Sequence, residues 1–319
     1  QVWHIIALSV FSGLISGFDI PARQAFVADM VTRREDIGNA IALNSSLFNM
    51  ARLVGPSLAG ITIAAVGEGV CFAINSASFI GAIVALAMFR IHPKPARHKP
   101  FVRGLREGFS YAWRFKPIRA LLVMLAMLSL VGMPYTVLVP VFAQKILHGG
   151  PHTYGLLLSC SGVGALAGAI YLAARRSIVG LGKVMVWSGI IFCTGLLGFA
   201  WSRLLWISCL IMMANGVSMI VQTASNNSIL QTIVEDDKRG RVMSLYTMAF
   251  MGMAPLGSLI AGGLADQFGA PWTVTLGGVV CLGSVVFFAR QLRGLRDLVR
   301  PIYMEKGLLP NVTPTGTVS

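Results

Sequence analysis

Apolar residues along this chain come in long unbroken runs, not in the three-and-four-residue stripes of a soluble helix. A bilayer-crossing helix needs about 20 apolar residues, and the runs reach that length repeatedly. They cover 2–30 (bent at Pro21), 41–66, 70–89, 120–146, 154–174, 184–200, 204–233, 242–264 and 272–289. A polar, basic linker over 90–119 separates the third run from the fourth. The polar stretch 290–319, with Pro and Thr near its end, is expected to be unstructured. Backbone N–H and C=O groups cannot stay unpaired in hydrocarbon, so the runs are predicted to be helices. Their uniform apolarity excludes a barrel, whose strands would alternate at every second residue. The fold class expected is an all-α membrane protein, a bundle of about nine transmembrane helices.

Composition supports this. Of 319 residues, 55% are hydrophobic and 12% charged, against about 25% charged in an ordinary soluble domain. The net charge of +14 raises nucleic acid as a partner, but its distribution argues against one. Of 26 Lys and Arg, 23 fall in alternate connections, the linker and the C-terminal stretch. Only Lys145 and Arg203 fall in the opposite set, and Arg52 lies within a span. This is the positive-inside pattern. It places the linker and C-terminus in the cytoplasm and the first residue outside, and it assigns the basic charge to topology and anionic lipid. Cys71, Cys160, Cys193, Cys209 and Cys281 all sit in apolar runs without metal or redox spacing and read as small core hydrophobes. His148 and His152 are separated by Gly149-Gly150-Pro151, which breaks any helix that could align them on a metal. There is no phosphate-binding G-x-x-x-x-G-K-[ST] loop and no H-E-x-x-H motif. Neither an enzymatic activity nor a cofactor is expected.

The chain also repeats. Segments 31–43 (VTRREDIGNAIAL) and 234–245 (VEDDKRGRVMSL) each join two spans. Each precedes a helix of small residues holding a proline, Gly55-Pro56-Ser57 in one and Ala254-Pro255-Leu256 in the other. In its half the second copy follows three spans, whereas none precedes the first. A parallel two-fold repeat of six-helix halves therefore predicts three further helices ahead of Gln1, and the sequence reads as a fragment.

The residues resemble the major facilitator superfamily, and within it the branch of the enterobactin exporter and the transmembrane secretion effectors. The most specific stretches are Phe18-Asp-Ile-Pro-Ala-Arg-Gln-Ala-Phe26, Asn39-Ala-Ile-Ala-Leu-Asn-Ser-Ser46 and Phe48-Asn-Met-Ala-Arg-Leu-Val-Gly-Pro-Ser-Leu-Ala-Gly60. The resemblance implies that the first run is the family's fourth helix. Residues 1–90 then complete the first six-helix bundle, and 91–118 form a basic cytoplasmic linker. Residues 119–291 make the second bundle, and 292–319 a cytoplasmic tail. Residues 51–60 are similar to the antiporter motif G-x-x-x-G-P-x-x-G-G: Gly55, Pro56 and Gly60 match, while Ala51 and Ala59 replace glycines. That motif implies export. Residues 165–176 keep the glycines and Arg175-Arg176 of a second family motif but lack its Asp.

Charge within a bilayer is costly, about 2.5–3.5 kcal/mol per residue on the insertion scale, so three residues stand out. Asp19 and Arg23 are four apart and share a helix face, while Arg52 precedes Gly55-Pro56 by one turn. Asp19 held by Arg23 is a candidate proton-coupling group; the competing reading is a fixed ion pair. The span 204–233 carries Asn215, Gln222, Thr223, Ser225, Asn226, Asn227 and Gln231. The resemblance implies that this helix lines a central cavity, which makes Gln222, Asn226 and Asn227 substrate-facing candidates. Hydrogen bonding between helices explains them equally well. Asn49 and Tyr135 complete the cavity candidates. Pro134 and Pro140 are expected to kink their helix. The glycines of 154–174 and 242–264 read as close-packing positions.

The activity these features imply is proton-coupled export of a small amphipathic molecule, siderophore or drug-like, by a monomer in the inner or plasma membrane. A symporter-importer and a non-transporting remnant are the competing expectations.

Overall fold

The structure is a computed structural model that describes residues 8, 11, 15, 47, 51, 58, 62, 66–88, 101–175, 177–235 and 238–306. The chain divides into two compact units, Gln1–Gly55 and Pro56–Ser319. In the first, Leu8, Phe11, Ile15, Leu47 and Ala51 are helical with exposed side chains. The rest of the expected span 2–30, and most of 41–66, lies outside the described residues.

The second unit holds α1 (Glu68–Met88), α2 (Phe101–Arg114), α3 (Lys116–Ile146), α4 (Pro151–Ala174), α5 (Leu181–Trp201), α6 (Leu205–Ile233), α7 (Arg239–Phe268) and α8 (Ala270–Glu305). No strand occurs among the described residues. All of these helices except α2 are long and apolar enough to cross a membrane, seven in total among the described residues, and they match the last seven predicted runs. Helix α6 packs along α4 and α5, and α5 packs along α8. Helix α3 lies against α6, α7 and α8.

Close packing comes from glycines, as their density predicts. A Cβ at Gly164 of α4 would overlap the Met213 carbonyl of α6, and one at Gly216 of α6 would overlap the Ser161 carbonyl of α4. The two backbones touch because neither carries a side chain there. Between α3 and α5 the core is aromatic. Tyr135 meets Phe192 and Phe199 edge-on at 6.0 and 6.4 Å, and Phe142 lies 4.7 Å from Phe199. The outer surface is greasy: Trp206 is 77% exposed, Leu259 76% and Phe287 65%. Such a surface is at home only in lipid. At the end where α5 stops and α8 starts, Trp201 and Trp272 pack edge-on at 5.2 Å. Trp201 also donates Nε1–H to Thr275 Oγ1 at 3.1 Å. Amphipathic indoles of this kind mark a membrane boundary.

Around its prolines α3 departs from regular α geometry. The helix widens into π turns at Leu128–Gly132 and Phe142–Ile146, where Met133 N–H reaches Leu128 O and Leu147 N–H reaches Phe142 O, both at 2.9 Å. Pro134 has no N–H to offer the Leu130 carbonyl, and Gly257 of α7 packs directly on that carbonyl. Helix α7 carries its own π turn at Met248–Gly252. The two wide turns meet, and the Ser129 hydroxyl donates to the Phe250 carbonyl between them.

One expectation is corrected. The chain beyond Arg290 is not unstructured as far as Glu305: α8 continues through it. Leu295 and Val299 are buried there, with Leu292 and Ile302 packed beside them. This three-and-four-residue spacing makes an amphipathic helix even though the segment is too polar to cross a membrane. The basic linker likewise contains a helix, α2, with Ala112 buried and Phe109 and Trp113 exposed and stacked at 5.3 Å.

Candidate functional site

Helix α6 concentrates the polar side chains of the bundle. It is long and mostly apolar, yet Asn215, Ser218, Gln222, Thr223, Ser225 and Asn226 are all buried along it. A buried polar group without a partner costs about 1–3 kcal/mol, so their pairing shows what they do. Gln222 accepts at Oε1 from the Ser188 hydroxyl of α5 at 3.0 Å and points Nε2 at Met124 Sδ of α3 at 3.4 Å. One turn on, Asn226 donates Nδ2–H to the Leu121 carbonyl of α3 at 2.9 Å. A single face of α6 thus ties two neighbours together. Tyr246 of α7 donates to the Thr223 carbonyl at 3.2 Å.

The polarity is not fully matched. Both side-chain atoms of Asn215, the Asn226 Oδ1 and the Ser225 hydroxyl have no hydrogen-bond partner among the described residues. Asn215 lies against Gly195 of α5, where a Cβ would overlap its Oδ1.

The sequence-predicted candidates therefore occupy different surroundings. Gln222 and Asn226 are buried between helices, 2% and 0% exposed. Tyr135 is buried in the aromatic cluster. Asn227 is half-buried and accepts at Oδ1 from the exposed Gln231 amide at 3.1 Å. The structure brings Gln222 and Asn226 to one interface, and Asn227 turns away from it. Asp19, Arg23, Asn49, Arg52, Gly55, Pro56 and Gly60 lie outside the described residues. Among the described residues no cluster of His, Cys, Asp or Glu is arranged to hold a metal ion, and the cysteines are unpaired by disulfides.

Sequence reasoning passed over two groups. Ser188 lies in an otherwise apolar stretch of α5, and its only sequence signal is its own polarity. Glu107 is the single acid of the basic linker. It pairs with Arg241 at the start of α7 at 2.9 Å, and Gly108 beside it lets α2 close onto the Arg241 Cβ. Lys238 stands 4.6 Å from the Tyr111 ring. The repeated 234–245 segment is thus the surface on which the linker helix rests.

Comparison with known proteins completes the assignment. Residues 1–299 match the family described as transmembrane secretion effector. The chain is 25% identical over 300 residues to the staphyloferrin A transporter of Staphylococcus aureus, covering 90% of this chain and 72% of that protein. It is also 25% identical over 318 residues to the multidrug efflux pump Tap of Mycobacterium tuberculosis, covering 94% and 75%. A solved bacterial homolog of the human lysosomal transporter Spinster, inward-facing and unoccupied, superposes with a TM-score of 0.51 at 14% identity. That match covers 89% of this chain and 75% of that one, and it shows the shared fold. With seven bilayer-length helices among the described residues and a family match across nearly its whole length, the chain belongs to the transmembrane secretion effector family and is a multi-pass transporter of the major facilitator superfamily.

Proposed function

We propose that this transporter exports small amphipathic molecules, of siderophore or drug-like character, in exchange for protons. The observation that carries this reading is the pair of relatives, a siderophore transporter and a multidrug efflux pump, each matched over nine-tenths of the chain or more. Export also agrees with the antiporter-like Gly55, Pro56 and Gly60. Asp19 is assigned proton uptake, with Arg23 holding its ionised form and Arg52 as a further charge in the coupling path. Protonation of Asp19 weakens the pair and changes the relative stability of the inward and outward states, as coupling requires. Asn49 and Asn227 are assigned to the substrate path. Gln222, Asn226 and Tyr135 act on that path indirectly, by holding α3, α5 and α6 against one another. The basic connections and the C-terminus face the cytoplasm.

The test is efflux of a fluorescent amphiphile or a labelled siderophore from energised cells, with and without a protonophore, comparing wild type with Asp19→Asn. Loss of efflux in both the protonophore-treated and the variant cells is expected. Efflux insensitive to the protonophore would exclude proton coupling, and normal efflux by Asp19→Asn would reduce Asp19 and Arg23 to a structural pair.

A further inference from the structure

Helices α5 and α8 touch at two levels. A Cβ at Gly189 would press on Val285 at 2.8 Å, and one at Gly182 would press on Leu292 at 2.8 Å. Beside these contacts runs a groove of about 440 Å³ lined by Ile190, Val285, Val286, Ala289, Arg290 and Arg293. Its chemistry is divided. Four lining residues are apolar, and the remaining two are exposed arginines at one end. Among the described residues no acidic side chain pairs with either arginine.

Depth in the membrane explains the division. Trp272 and Trp201 mark one boundary. Arg290 lies 18 residues along α8 from Trp272, about 27 Å at 1.5 Å per residue, close to the thickness of a hydrocarbon core. Gly182 lies about as far from Trp201 along α5. The arginines are therefore at headgroup level on the opposite side, and Ile190, Val285 and Val286 lie at the depth of acyl chains. Arg296 and Arg300 continue the positive charge along the amphipathic end of α8.

We infer that this groove is a binding site for an anionic glycerophospholipid, with its phosphate on Arg290 and Arg293 and an acyl chain along Ile190, Val285 and Val286. Basic pockets between transmembrane helices select anionic headgroups in this way. A free phosphate would satisfy the arginines but leave the apolar two-thirds of the groove unfilled. The site does not depend on which molecule the protein transports.

Native mass spectrometry of the purified chain in detergent, titrated with dioleoyl phosphatidylglycerol or dioleoyl phosphatidylcholine, tests the site. Phosphatidylglycerol is expected to be retained in preference. Arg290→Gln with Arg293→Gln should weaken its retention by about thirtyfold, from about 1 kcal/mol per arginine near the surface. Val286→Trp, which fills the apolar end and keeps both arginines, should also weaken it. Arg203→Gln, at the opposite boundary, should leave it unchanged. Each variant is compared only as a monodisperse peak of wild-type helicity. Equal retention of the two lipids, or unchanged phosphatidylglycerol binding in the double variant, would overturn the site. Displacement by millimolar inorganic phosphate, with Val286→Trp binding normally, would identify a free-anion site and overturn the lipid.

Discussion

At the scale of single residues, the amides of α6 separate into two kinds. Asn226 is fully buried and bonded to the Leu121 carbonyl. Asn226→Ala should therefore lower stability by about 0.6 kcal/mol, the average for hydrogen bonds between membrane helices, and by at most about 1.7, seen as a lower melting temperature in detergent. Among the described residues the Asn227 side chain bonds only Gln231, so Asn227→Ala should leave the melting temperature unchanged while altering transport. A stability loss at Asn227, or none at Asn226, would reverse their roles. The amide load of this helix was legible in the sequence, since five Asn and Gln side chains in one apolar run demand an explanation. The partners were not legible. Leu121 and Ser188 lie 105 and 34 positions from the amides they bond, and helix periodicity says nothing about which neighbour a face meets.

At the scale of elements, the last seven apolar runs locate their spans to within a few residues, apart from the far end of α8, because a bilayer sets one length for all of them. The same criterion failed beyond Arg290. There α8 is held by a stripe of Leu292, Leu295, Val299 and Ile302 that averages away among the arginines. The π turns were also hidden. Pro134 and Pro140 announce a disturbance of α3, yet not the π turns beside them, which depend on which carbonyl each free N–H finds. Glycine packing was legible and is open to test. Gly164→Ala should force α4 from the Met213 carbonyl and cost about 1–3 kcal/mol as an overpacking change. Gly263→Ala, where a Cβ meets nothing within 4 Å, should be neutral. Equal melting temperatures for the two variants would show that α4 and α6 can separate freely.

For the whole molecule, the family was legible from short motifs around Phe18–Phe26 and Ala51–Gly60, and the match over residues 1–299 agrees. The proposed orientation rests on charge alone, and labelling from outside intact cells tests it. In a background without the native cysteines, Arg203→Cys should react with a membrane-impermeant maleimide, and Ser177→Cys should react only after lysis. The opposite pattern would invert the topology. The surface pair Glu107–Arg241 adds little stability, since exposed ion pairs contribute about 0–1 kcal/mol. Its placement nevertheless anchors the linker helix to the start of α7.

The facing wide turns of α3 and α7 have a mechanical consequence. Each π turn holds one surplus residue, and absorbing it into regular α geometry rotates one half of the helix against the other by about 100°. Because Ser129 bridges to the Phe250 carbonyl, such a step in either helix alone would break that bond, whereas matched steps in both, like teeth of meshed gears, could keep it.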